Sequence, residues 1–265
     1  MNEQAKIAVL VDAENISRKY IKLIMQEVSN YGLATYKRIY GDFTAPSVTS
    51  WQDRLREYAL TPIFQFNYTQ GKNASDSALI IDAMDILYSG NVDGFCIVTS
   101  DSDFTKLAIR LREAGMLVIG MGEQKTPKAL VSACETFKFL DLLYQAEINE
   151  EDADNQGKSV KEEKHVAAES KNADGSDEDS TNIPSREQMG NEIMSVIGDN
   201  SQNNEWVYLA TIGNALQKRV PGFDPRNYKC RKLREFVEGF DYFEVKDVPD
   251  QNDEFTKIVY VKLKE

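Results

Sequence analysis

Residues 95–122, FCIVTSDSDFTKLAIRLREAGMLVIGMG, leave few folds open to this chain. A short apolar run at 95–99 stops abruptly at Asp101-Ser102-Asp103. Residues 104–113 then carry Leu107 and Leu111 four apart, and 116–120 form a second apolar run. Short apolar runs read as buried strands and the four-residue spacing as one face of a helix, so the unit is β-α-β. Strands joined through a helix run parallel, and open parallel sheets bind ligands in the crevice outside the carboxyl ends of their strands. Asp101 and Asp103 fall at that place. A plainer role, in which Ser102 or Asp103 caps the following helix, fits the same residues.

The first strand repeats the pattern. Residues 7–11 are apolar and stop on Asp12, followed by Asn15. A third acid, Asp76, follows Gly71-Lys72-Asn73-Ala74-Ser75 where a helix begins; Leu79, Ala83, Ile86 and Leu87 share its face and Gly90 can end it. Three segments therefore deliver Asp12, Asp76, Asp101 and Asp103 towards one edge of one sheet. Crowded carboxylates repel one another and stay ionised near neutral pH when a cation sits among them. Ligation by oxygen alone suits Mg²⁺ or Mn²⁺. Further strands at 35–40, 62–66 and 137–143 alternate with helices at 16–30, 48–58 and 127–133, which predicts an α/β fold with a parallel sheet covered on both faces. Trp51, Tyr58 and Phe64 read as core residues of that fold.

Five strings carry a family resemblance: VDAEN at 11–15, YGD at 40–42, KNASDSALIIDAMD at 72–85, TSDSDFTKLAIRLREAG at 99–115 and KTPKALVSAC at 125–134. Together they resemble the LabA-like NYN domains, a branch of the PIN-like nuclease superfamily, across the first half of the chain. The resemblance implies a Rossmann-like domain that cleaves RNA at an acidic cluster holding Mg²⁺ or Mn²⁺. Carried over by residue, the cluster is Asp12, Asn15, Asp76, Asp101 and Asp103, with Asp42 and Asp82 behind them. Asp82 ranks lower because six residues of helix turn it away from the direction of Asp76. Lys72, Lys106 and Arg110 lie near these motifs and are candidates to hold the RNA backbone, although each also reads as an ordinary exposed helix residue.

Other chemistries are disfavoured by what is missing. The single histidine, His165, lies in a charged low-complexity stretch away from these motifs, which argues against histidine triads, paired-histidine RNases and His-ligated zinc. The turn after the first strand, DAENIS, has no glycine and no GxxxxGK[ST] occurs, so no dinucleotide is expected. An Asp-nucleophile phosphatase wants D-x-D-x-T where this chain has Asp12-Ala13-Glu14-Asn15-Ile16. A non-catalytic RNA-binding adaptor is the other alternative, one that a missing acid would have favoured. With no apolar run long enough for a span and no secretory signal, the chain is expected to be soluble and cytoplasmic. Cys96, Cys134 and Cys230, odd in number and widely spaced, read as buried reduced thiols.

Charge divides the chain into residues 1–145, 146–184 and 185–265. Residues 146–185 hold 4 Lys/Arg against 12 Asp/Glu and almost no large apolar side chain, which predicts a flexible acidic linker. Beyond it, Met189, Ile193, Val196 and Ile197 form one apolar stripe, and Leu209, Ile212 and Leu216 another. Asp224-Pro225 starts a third helix, expected over 226–238, and two alternating segments at 242–245 and 258–263 make a wing. Three helices and a hairpin define a small winged helix-turn-helix domain. The strings YLATIGNALQKRVPGFDPRNY (208–228) and KLREFVE (232–238) resemble the LOTUS, or OST-HTH, domain, which implies binding of RNA or of a partner protein. Where that family commonly has Gly after the Tyr, this chain has Lys229. Arg226, Lys229, Arg231, Lys232 and Arg234 crowd the third helix and are its candidate RNA contacts.

Overall fold

The computed structural model describes residues 4–42, 50–64, 74–156, 183–201, 205–249 and 257–264. Within them, β1 (Lys6–Asp12), β2 (Leu33–Gly41), β3 (Thr61–Phe64), β4 (Gly94–Val98), β5 (Leu117–Gly122) and β6 (Thr136–Phe139) form one parallel sheet. Its order is β3-β2-β1-β4-β5-β6. The helices are α1 (Ile21–Ser29), α2 (Gln52–Glu57), α3 (Ala74–Ser89), α4 (Thr105–Glu113), α5 (Lys128–Ala133) and α6 (Leu140–Gln156). The chain winds outward from β1 to β3, crosses back to β4, and winds outward again to β6. The crevice at the carboxyl ends of β1 and β4 is therefore the topological switch point.

Burial on both faces explains why β1 reads as an unbroken apolar run. Ile7, Val9 and Val11 pack with Ile21, Ile24 and Val28 of α1, whereas Ala8 and Leu10 pack with Leu79, Ala83, Leu107 and Leu111 of α3 and α4. The apolar run at 137–143 proves to be two elements. β6 ends at Phe139, and the buried Leu140 and Leu143 already belong to α6. A short apolar run does not distinguish a strand from a helix start. Helix α6 also continues past position 146, where the linker was expected to begin; residues 157–182, the rest of that expected linker and the site of His165, lie outside the described residues. Trp51 is buried as expected, but Phe64 on the edge strand β3 is 60 % exposed. The three cysteines are buried and free. Among the described residues, no helix is long and apolar enough to cross a membrane.

The C-terminal domain comprises α7 (Arg186–Asn200), β7 (Val207–Tyr208), α8 (Leu209–Arg219), α9 (Leu233–Glu238), β8 (Phe243–Pro249) and β9 (Lys257–Leu263), with the strands antiparallel in the order β7-β9-β8. Ser185 and Gln188 close a capping box at the start of α7. The third helix is split. A 3-10 turn, Pro225–Tyr228, ends at Lys229 in the left-handed conformation (φ 62°), and α9 starts only at Leu233. One left-handed residue breaks a right-handed helix, so the continuous helix over 226–238 does not form.

The two domains are docked along the edge strand β6. The Phe137 amide donates to the Pro221 carbonyl at 2.7 Å. Gly222 lies so close that a Cβ there would stand 3.0 Å from the Phe139 ring. Lys138, buried on β6, donates to Asp224 at 2.7 Å and lies 4.0 Å from Glu27 of α1. Arg226 in turn bridges Asp224 at 2.8 Å and Glu27 at 2.7 Å. Burial alone would raise the Asp224 carboxyl, but hydrogen bonds from Arg226 and the Lys138 charge outweigh it and hold Asp224 well below the usual carboxylate range. Two acids and two bases thus close a neutral quartet across the seam.

Candidate metal centre

Asp12 ends β1 beneath the switch point and is 2 % exposed. Its Oδ1 accepts from the amides of Glu14 and Asn15 at 3.1 and 3.2 Å, and its Oδ2 accepts from the Asn15 side chain at 2.7 Å and the Thr99 hydroxyl at 2.8 Å. Burial pushes its pKa up while these four donors pull against that shift. Thr99, just beyond β4, uses the same Oγ1 to accept from the Asp101 amide at 3.1 Å. One hydroxyl thereby ties the ends of β1 and β4 together. Asp101 is the cap of the 3-10 turn Ser102–Phe104, its Oδ1 accepting from the Asp103 amide at 2.9 Å. Capping thus falls to Asp101, one residue earlier than the Ser102 or Asp103 of the plainer expectation.

Asp76, in the first turn of α3, faces this pair. Carboxylate oxygens of Asp76, Asp101 and Asp103 all lie within 4.8 Å of one another. Partial burial, then the charges of Asp12 and Asp101, push the Asp76 pKa up to about 6. Asp12 and Asn15 are not among these three and hydrogen-bond to each other, while the Asp12 charge still acts on Asp76. Glu14, quoted within VDAEN but not singled out, accepts from the Asp42 amide at 3.1 Å and the Ser75 hydroxyl at 3.0 Å, fastening the ends of β2 and α3. Its acidity, two positions after Asp12, was the available signal. Thr99 offered less, since a threonine at a strand end is ordinary.

The remaining sequence candidates are dispersed. Asp82 pairs with Arg38 and Tyr40, tying α3 to β2. Lys106 and Arg110 are exposed on α4, and Lys72 lies outside the described residues. Arg226 belongs to the seam quartet, and Arg234 pairs with Glu238 at 2.7 Å and Asp247 at 2.9 Å. Lys229, Arg231 and Lys232 are exposed. Sequence reasoning missed a cleft of about 340 Å³ beside the acids, lined by Glu14, Asn15, Arg18, Trp51, Glu123 and Lys125.

A doubly wound sheet with carboxylates converging at its switch point is the architecture of a PIN-like domain. The chain belongs to the NYN domain family, which it matches over residues 6–142, and residues 190–254 match the OST-HTH/LOTUS domain. An uncharacterized protein of Methanocaldococcus jannaschii is 27 % identical over 123 residues, covering 45 % of this chain and 48 % of the relative. The chain thus spans about half the length of that relative. A solved structure of a protein of unknown function from Vibrio parahaemolyticus aligns with 52 % of this chain and 93 % of its own at 19 % identity and a TM-score of 0.43.

Proposed function

We propose that this chain is a divalent-metal-dependent ribonuclease whose LOTUS domain contributes binding of RNA or of a partner. The observation that carries the reading is the convergence of Asp76, Asp101 and Asp103 within 4.8 Å. The donor set is oxygen only, and partial burial together with the neighbouring carboxylate charges disfavours the ionised form of Asp76, which a hard cation would offset, so the residues fit Mg²⁺ or Mn²⁺. Asp76, Asp101 and Asp103 would hold the ion. When bound, such an ion supplies a water of lowered pKa and positive charge facing the phosphodiester.

The chain's own residues do the positioning. Asp12 fixes Thr99 and Asn15, and Thr99 fixes the Asp101 backbone. Arg18, which donates to the Ser50 carbonyl at 2.8 Å, and Lys125, paired with Glu123 at 2.8 Å, border the adjoining cleft and would take RNA phosphates there. Asp12 is buried with both oxygens occupied by donors, which argues against a phosphatase that uses it as nucleophile.

Incubating the purified chain with single-stranded RNA in Mg²⁺, Mn²⁺ or EDTA tests the reading. Cleavage should require the cation and vanish in Asp101→Asn while RNA binding persists. Cleavage that survives EDTA, or that the variant retains, would sink it and leave a non-catalytic RNA-binding adaptor.

A further inference from the structure

We propose that the outer face of the C-terminal sheet is a stacking platform for single-stranded RNA. The inference rests on reading the chain as an RNA-handling protein, but not on cleavage. Strand alternation sends Val207, Phe243 and Val261 inward, where they join the core with residues of α7, α8 and α9. The same alternation sends Tyr208, Lys246, Tyr260 and Lys262 to the other face. Tyr208 and Tyr260 are register partners with ring centroids 6.0 Å apart, and Lys246 is the partner of Tyr260 on its other side. Trp206, immediately before β7, has the Lys246 Nζ 4.0 Å and the Lys262 Nζ 5.1 Å from its ring centre. Three aromatic rings and two ammonium groups therefore share one patch, with Tyr208 46 % exposed.

That combination matches single-stranded nucleic acid, in which bases stack on aromatic rings and cations track the phosphates. A protein partner with an apolar surface would have to desolvate both ammonium groups. Only Lys262 has a carboxylate partner among the described residues, Glu244 at 3.2 Å, and Lys246 is left to a phosphate. The third-helix region, with Arg226 and Arg234 held in ion pairs, retains exposed cations but lacks these rings.

Titrating the full chain in EDTA with short oligoadenylate, oligouridylate and an RNA duplex separates binding from catalysis. Trp51 is buried but lines the cleft of the first domain, so the part of the tryptophan quenching by the single strands that Trp206→Phe removes reports Trp206. Trp206→Ala and Tyr208→Ser should each weaken single-strand binding about tenfold or more. Lys246→Glu should lessen the slope of log affinity against log salt by at least about 0.7, the share of one single-strand phosphate contact. Unchanged affinity in the folded Trp206→Ala and Tyr208→Ser variants would overturn the proposal. So would equal binding of the duplex, or losses confined to Arg231→Glu and Lys232→Glu. Loss of cleavage with these binding effects intact would overturn only the nuclease reading.

Discussion

Arg226 of the LOTUS domain and Glu27 of the NYN domain, 199 positions apart, meet at 2.7 Å across the domain seam. The same guanidinium grips Asp224, whose other partner is the buried Lys138. A cation that reads as an RNA contact in sequence is thus a docking residue in the fold. The two domains do not simply sample each other through a tether.

Breaking the quartet tests that arrangement. Lys138, Glu27 and Asp224 are all buried, and removing one member of a buried pair leaves an uncompensated charge costing about 3–5 kcal/mol. Lys138→Met should lower unfolding stability by about 3 kcal/mol, and adding Asp224→Asn should restore part of the loss by removing the stranded carboxylate. Denaturant titrations of the four proteins read this cycle. A Lys138→Met effect within about 0.5 kcal/mol, the range of ordinary surface changes, would mean that the seam does not form in solution.

Asp101→Asn should abolish cation-dependent cleavage, by about a hundredfold or more, with the fold retained. The asparagine oxygen can still accept the Asp103 amide and cap the turn. Without cation the variant should melt at or above the wild type, because repulsion in the cluster is relieved, while the wild type gains more from Mn²⁺. Melting curves with and without Mn²⁺, beside the cleavage assay, check both halves.

The pH dependence has a definite sign. Asp76 is raised to about 6, so between roughly pH 4 and 6 the native state binds more protons than the unfolded one. Cation-free stability should fall as pH rises through that window, and Asp76→Asn should flatten the fall. Stabilisation by Mn²⁺ should run the other way, weak near pH 5 and full above 7, because the ion competes with the proton. Thermal melts across pH, with and without Mn²⁺, measure both slopes.

The parallel sheet was legible because β1, β4 and β5 are buried on both faces and read as unbroken apolar runs. The acids were legible because each ends a strand or begins a helix. The roles that depend on partners from distant segments were not. Nothing near Asp82 in sequence announces Arg38 and Tyr40, and nothing near Arg226 announces Glu27. The 3-10 turn at Pro225–Tyr228 escaped the helix pattern because the break depends on one backbone angle at Lys229.

Thr99→Val should be more damaging than its size suggests. The hydroxyl both donates to Asp12 and accepts from the Asp101 amide, so removing it leaves a buried acceptor short of a donor and an amide without its partner. Such losses cost about 1–3 kcal/mol each. Stability should fall by that order, and cleavage should fall further than stability because Asp101 loses its fixed position. Thr99→Ser should rescue both. Full cleavage in the valine variant would show that the hydroxyl does not position Asp101.

Lys229 gives a case in which stability and binding should move in opposite directions. Its φ of 62° lies in the left-handed region, which costs a residue with a Cβ about 1–2 kcal/mol. Glycine removes that strain but loses more backbone entropy on folding, about 0.5–1 kcal/mol. Lys229→Gly should therefore stabilise the protein by roughly 0.5–1 kcal/mol, whereas Lys229→Ala, which keeps the strain, should not. Both changes remove the same charge from the groove of about 340 Å³ that Lys229 and Arg231 line with Gln145 and Asn149 of α6. If Lys229 holds an RNA phosphate there, both variants should weaken binding equally and lessen the salt slope by about 0.7. Equal stabilities for the two variants would contradict the left-handed geometry, and an unchanged salt slope would remove Lys229 from the RNA-binding residues.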